Sequence, residues 1–238
     1  MVGIYRFAER IVRIDSLFER VHRYCQDYVY EKTDSTSIDI FVKIRQEELD
    51  FERSRTDEDK KYPYDYLEEL AVYRQIAEKM PFYDTFLFHG SAVAVDGKAY
   101  LFTAPSGTGK STHVRLWREL LGDRAVMVND DKPLIRIKGE EVLIYGTPWN
   151  GKHRLGENIC VPLIAVCVLE RAETNRIEPI SSNEAYPVLL QQTYRPMDRE
   201  TLRRTLVLLD KFRSQVRFFR LQCNMDPEAA KVSYEGVQ

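Results

Sequence analysis

The sequence lacks a surplus of charge of either sign. Lys and Arg number 35 and Asp and Glu 37 in 238 residues, a formal net charge of −2. A general nucleic-acid binder usually carries a basic excess, so no nucleic-acid partner is expected. Long apolar runs are missing too. Residues 161–169 form one of the longest and are too short to span a bilayer, so no membrane partner is expected. The opening MVGIYRFAER places Arg6, Glu9 and Arg10 where a secretory signal needs an apolar core, which points to a cytoplasmic location. Cysteine is scarce. Cys25, Cys160, Cys167 and Cys223 stand far apart with no C-x-x-C spacing, and buried free thiols are expected. Internal repeats and low-complexity tracts are absent. What remains is 44% hydrophobic and 30% charged, an ordinary globular composition for one generous domain or one domain with a small appendage.

The first third reads as its own α+β unit, residues 1–84. Loose alternation over 4–14 suggests a strand, amphipathic text over 17–30 a helix, and SIDIFVKI at 37–44 a strand. The mixed-sign run 43–61 reads as a solvated helix plus loop, and 66–80 has helical spacing. The texture changes at Thr85. Two β-rich runs, 86–95 and 99–103, flank Asp96-Gly97, a strong hairpin signal. A helix over 111–121 and a buried strand over 125–128 follow. Strands are expected at 134–137, 141–145, 163–169 and 217–221. Helices are expected at 183–192, at 199–216 and after Asp226-Pro227.

Between the second hairpin run and the helix stands APSGTGKST. It matches the phosphate-loop pattern, with Ala104 in place of the first Gly, and it has the strand before and helix after that the pattern requires. Gly107 and Gly109 allow backbone conformations that turn successive N–H groups into one concavity, and the helix end adds positive potential. Ser106, Gly107, Thr108, Gly109, Lys110, Ser111 and Thr112 are therefore expected to bind a nucleotide. Lys110 supplies charge to the phosphates from an exposed loop position, and the Ser111 hydroxyl is a metal ligand.

The strand over 125–128 ends at Asn129-Asp130-Asp131. Neighbouring side chains at a strand end diverge, so one carboxylate can serve Mg2+ while the other accepts a proton from an attacking hydroxyl. His89, in FLFHGSAV, is brought beside the loop by the hairpin that follows it.

The run His89-Gly90, hairpin, Ser106-Gly107-Thr108-Gly109-Lys110-Ser111, helix, Asp130-Asp131 resembles two related families. One is the HPr kinase/phosphorylase catalytic domain, the other the nucleotide-binding domain of phosphoenolpyruvate carboxykinase. The resemblance covers about residues 86–170. TPWNGK and CNMDPEAA look like the HPr-kinase-like proteins found beside peptide-modification genes. The resemblance implies a phosphoenolpyruvate carboxykinase-like P-loop nucleotide-binding domain of α/β class with a mixed sheet over 85–238. It also implies ATP and Mg2+, with Asp130 as general base, Asp131 with Ser111 on the metal, and His89 orienting the nucleophile or a phosphate oxygen. The family's Arg-Gly-x-Gly segment is not found, and Lys152 in Gly151-Lys152-His153-Arg154 is expected as the substitute cation, with a solvated loop lysine as the alternative.

The leading expectation is an ATP-dependent kinase acting on a hydroxyl, a Ser of a protein or peptide. A nucleotide-binding regulatory or assembly module without transfer, and a small-metabolite kinase, stay open. So does a homo-oligomer.

Overall fold

The computed structural model describes residues 1–31, 37–56, 60–151 and 153–238. By its internal contacts the chain divides into two units, Met1–Tyr83 and Asp84–Gln238.

In the first unit the expected strand over 4–14 is a hairpin. β1 (Val2–Phe7) pairs antiparallel with β2 (Arg10–Asp15). Ala8 and Glu9 turn it at φ 45° and 66°, a left-handed turn made without Gly or Asn and so without the usual sequence signal. The helix expected over 17–30 shrinks to α1 (Arg20–Tyr24) and one 3-10 turn, Gln26–Tyr28. Both ends of that segment are claimed by tertiary bonds. Leu17 and Phe18 donate their N–H groups to the buried Glu68 carboxylate at 2.5 and 3.0 Å, and Tyr30 N–H donates to Ile4 at 2.9 Å. β3 (Ile40–Lys43) lies parallel to β2 and is shorter than the expected 37–44. α2 (Gln46–Ser54) occupies the charged run, and α3 (Tyr64–Lys79) follows Pro63. Residues 57–59 of that run lie outside the described residues.

The second unit is a mixed α/β fold around one nine-stranded sheet. The order is β4 (Thr85–Leu87), β8 (Leu134–Lys138), β9 (Glu141–Tyr145), β10 (Cys160–Arg171), β6 (Lys98–Thr103), β5 (Ser91–Val95) and β7 (Ala125–Asn129). Off this path β12 (Arg217–Cys223) runs parallel to β10, and β11 (Arg176–Ile180) pairs antiparallel with β12. β11 carries two charges and Pro179 and had no strand signal in the sequence; Pro is tolerated at a sheet edge. Long β10 curls the sheet. Its start pairs antiparallel with β9, and its later part runs parallel to β6.

The alternation of β6 sends Ala99 and Leu101 to one core, Tyr100 and Phe102 to the other. On the first face α5 (Ser182–Gln192) and α6 (Arg199–Gln215) bury Leu189, Leu208 and Phe212. On the second, α4 (Lys110–Leu121) and α7 (Glu228–Gly236) bury Val114, Trp117 and Ala230. Among the described residues no helix is long and apolar enough to cross a membrane. Cys25, Cys167 and Cys223 are buried, but Cys160, at the start of β10, is exposed, contrary to expectation.

The run 86–95, read as one strand, is two. β4 pairs with β8, and β5 pairs with β6 and β7. The break falls at Phe88-His89-Gly90, where backbone bonds leave the sheet: His89 N–H donates to Gln192 at 2.8 Å and Gly90 N–H to Asp131 at 3.0 Å. A Cβ at residue 90 would sit 2.8 Å from a Leu101 methyl carbon and 3.0 Å from the Phe102 carbonyl oxygen, so only glycine fits this close approach.

Candidate functional site

β6 leads into the glycine-rich loop and α4 leaves it. Gly107 and Gly109 take φ values of 79° and 125°, which side-chain-bearing residues rarely adopt. The loop's carbonyls are largely occupied. Lys110 Nζ donates to Ala104 at 2.9 Å and to Pro105 at 3.3 Å, and the Thr108 hydroxyl donates to Pro105 at 2.8 Å. Gly109 accepts the His113 N–H at 2.9 Å. Arg171, at the end of β10, donates to Thr108 at 3.1 Å and also to the Gly107 carbonyl. By contrast, the N–H groups of Gly107, Gly109, Lys110, Ser111 and Thr112 have no hydrogen-bond acceptor among the described residues. Lys110 is not the exposed loop lysine expected from the sequence. It is 7% exposed, and burial lowers its pKa against the pull of Asp131.

β7 ends at Asn129, one residue before the carboxylates. The Asn129 side chain then shapes the turn. Its Oδ1 accepts the N–H groups of Asp131 at 2.9 Å and Lys132 at 2.6 Å, while its Nδ2 donates to the Thr147 hydroxyl at 3.0 Å. The two carboxylates meet different partners. Asp130 is buried, and its Oδ1 accepts the backbone N–H of Gly151. A Cβ at residue 151 would lie 2.5 Å from Asp130 Oδ2, so glycine is required beside this carboxylate. Burial pushes the Asp130 pKa up, the Gly151 N–H opposes that, and the Asp131 charge adds to it. Asp131 Oδ1 lies 3.2 Å from Lys132 Nζ and 3.4 Å from His89 Nε2.

His89 is held on its other side. Its Nδ1 lies 2.5 Å from Gln192 Oε1 at the end of α5, and its carbonyl accepts the Thr103 hydroxyl at 3.1 Å. Burial, then Lys132 and Lys110, lower its pKa; Asp131 and Gln192 oppose them. The imidazole is therefore biased towards its neutral form.

These residues share one cleft of about 340 Å³. It is lined by His89, Ser106, Gly107, Gly109, Lys110, Ser111, Thr112, Asp130, Asp131 and Gly151. Thr108 faces instead a second cleft of about 420 Å³ across the loop, walled by Leu169, Arg171 and Met225. Lys152 lies outside the described residues. Gln192, Gly151, Asn129 and Arg171 were not singled out in the sequence. Asn129 and Gly151 stood inside motifs that were quoted, whereas Gln192 and Arg171 carried no local signal.

No family model and no curated protein matches the sequence. Among solved structures, the Hpr(Ser) kinase/phosphatase from Coxiella burnetii is similar with a TM-score of 0.33 and 10% identity, over 63% of this chain and 94% of that chain. At that level the likeness carries no functional argument, and the chemistry is read from this chain's own residues.

Proposed function

We propose that the second unit is an ATP- and Mg2+-dependent phosphotransferase acting on a hydroxyl of a protein or peptide, with a phosphoenolpyruvate carboxykinase-like P-loop. One observation carries this reading. The loop's carbonyls are drawn to Lys110, Thr108, His113 and Arg171, while the N–H groups of Gly107, Gly109, Lys110, Ser111 and Thr112, without an acceptor among the described residues, are left for an external one. Unpartnered N–H groups in a loop that opens a helix are an anion site. Lys110 and the helix end add positive charge there. The second cleft, with an apolar wall beside the loop, suits the nucleoside.

The donor set fits Mg2+. Ser111 and Asp131 supply hard oxygens in the same cleft. No cluster of three His, Cys, Asp or Glu able to hold a metal occurs among the described residues. Mg2+ commonly takes one or two carboxylates and completes its shell with water and phosphate oxygens. When bound it would neutralise phosphate charge.

Asp130 is the base in this reading. The acceptor oxygen forms a bond to the γ-phosphorus, its proton passes to the Asp130 carboxylate, and the bond to the β–γ bridging oxygen breaks to release the nucleoside diphosphate. Its raised pKa makes Asp130 a better proton acceptor than an ordinary aspartate. Gly151 fixes one of its oxygens. Neutral His89, its Nδ1–H given to Gln192 Oε1, turns an unprotonated Nε2 towards the cleft, where it can accept a hydrogen bond from the attacking hydroxyl and orient it.

The test is incubation of the full chain with γ-labelled Mg·ATP and candidate hydroxyl acceptors, read by mass spectrometry. Label on a hydroxyl is the expected result. Tight ATP binding with no transfer to any protein, peptide or metabolite would replace this reading with a nucleotide-binding regulatory module.

A further inference from the structure

A third cleft, of about 380 Å³, is also lined by Asp130 but not by His89. Its lining includes Asp130, Met127, Arg115, Arg118, His153 and Leu155, and it shares Ser111, Thr112 and Asp130 with the phosphate cleft. An occupant can therefore present a hydroxyl to Asp130 while the rest of it lies along α4.

The charges in this cleft are cationic apart from Asp130 itself. Ser111, Arg115 and Arg118 stand at i, i+4 and i+7 on α4, one stripe of the helix. Arg115 pairs with Glu119 at 2.5 Å on an exposed surface. Arg118 is half-buried and makes no side-chain ion pair or hydrogen bond with any described residue, although His153 lines the same cleft. A guanidinium left unpaired in a cleft that leads to a candidate base is a ready partner for a carboxylate.

The distance along the stripe selects the size of the occupant. Seven residues of helix rise about 10 Å from Ser111 to Arg118. An extended chain covers that length in about three residues. A compact hydroxy acid is too short to reach from one end to the other.

We propose that this cleft is the acceptor groove, and that it selects a peptide segment whose hydroxyl residue is followed or preceded, two to three residues away, by a carboxylate that Arg118 and Arg115 receive. This inference rests on the kinase reading above for the event at Asp130, but the groove's charge preference is measurable without transfer.

The probes are N-acetylated, C-amidated seven-residue synthetic peptides with one Ser and either two Asp or two Asn placed three residues from it, on either side. A further peptide carries only a free terminal carboxylate at that distance, which separates a side-chain source of the charge from a chain-end source. Binding to the full chain without nucleotide is followed by the Arg side-chain Nε–H signals and by affinity. The same peptides are then assayed for transfer from Mg·ATP. Acidic peptides are expected to bind about tenfold or more tightly than their Asn counterparts, the worth of a charge-assisted bond. Arg118→Glu should abolish the preference and Arg118→Lys should keep part of it, with ATP affinity unchanged in both. Equal affinity for acidic and neutral peptides, binding of neither, or a preference that survives Arg118→Glu overturns the proposal. A preference that appears without any phosphoryl transfer leaves the groove's charge preference standing and counts against the kinase reading instead.

Discussion

Gly151 and Asp130 form the contact on which the proposed chemistry turns. A methyl group on residue 151 would need the space Asp130 Oδ2 occupies, 2.5 Å away, so Gly151→Ala displaces the carboxylate without touching the loop. Transfer should fall by about 100-fold, the usual cost of a 1 Å misplacement, while ATP affinity changes little. Asp130→Asn keeps the shape but cannot take a proton, and transfer should fall by about 100- to 10,000-fold in single-turnover assays. Stability should move the other way. Burial raises the Asp130 pKa in the folded state, so its contribution is present below the ordinary carboxylate pKa and is lost as pH rises through the raised value. Denaturation of wild type and Asp130→Asn across that range should show the variant gaining relative to wild type as pH rises. Much of this site was legible at residue level, because APSGTGKST and Asn129-Asp130-Asp131 are local motifs. Gln192 was not. It meets His89 from 103 residues away, and no short-range pattern marks such a partner.

At the scale of elements, α4 carries the site at its first turn and is anchored by a polar contact in its core face. His113 Nε2 lies 2.9 Å from the Ser233 hydroxyl of α7, and Trp117 Nε1 donates to the same oxygen at 2.7 Å. Burial lowers the His113 pKa from 6.5 to about 4. Between those values the unfolded state binds a proton that the folded state refuses. Stability from this group is therefore intact above the unfolded pKa and falls as pH drops, by on the order of 3 kcal/mol once pH passes below the folded value. A His113→Gln variant should show a shallower loss in acid than wild type, measured by denaturant unfolding over that range. An identical slope would mean that His113 is not the group responsible. Elements with strong periodicity, such as α4 and α6, were legible in sequence. The split of 86–95 was not, because an apolar alternating run does not reveal which strand it pairs with. Only the close approach at Gly90 and the bonds of His89 to Gln192 and Gly90 to Asp131 decide that. The segment 17–30 failed for the related reason that Glu68 and Ile4, distant in sequence, take its end N–H groups.

Across the whole molecule, every residue of the candidate site belongs to Asp84–Gln238, and both sheet-face cores of that unit are built from its own residues. A fragment of residues 84–238 is expected to fold and to keep the ATP-dependent rise in melting temperature. A fragment that is folded yet blind to ATP would place part of the nucleotide site in the first unit. If the first unit instead shapes acceptor choice, the fragment should bind ATP normally but lose turnover of a confirmed peptide acceptor. The change of texture at Thr85 lies next to the boundary between Met1–Tyr83 and Asp84–Gln238. The curled sheet was not legible in the sequence, since strand order depends on the length of β10 and on which halves of it pair with β9 and β6.

The central claim is that the N–H groups of the glycine-rich loop and the Lys110 ammonium hold the phosphates of a nucleotide. The most direct measurement is the stability of wild type and Lys110→Ala with and without Mg·ATP. Each protein is compared with its own unliganded state, because Lys110 is buried and bonded to the loop and its loss lowers the baseline. Wild type should gain about 2.7 kcal/mol at 100 times its dissociation constant, and the variant should lose most of that gain. An ATP-dependent gain that is the same in both proteins, or absent from wild type, would contradict the claim.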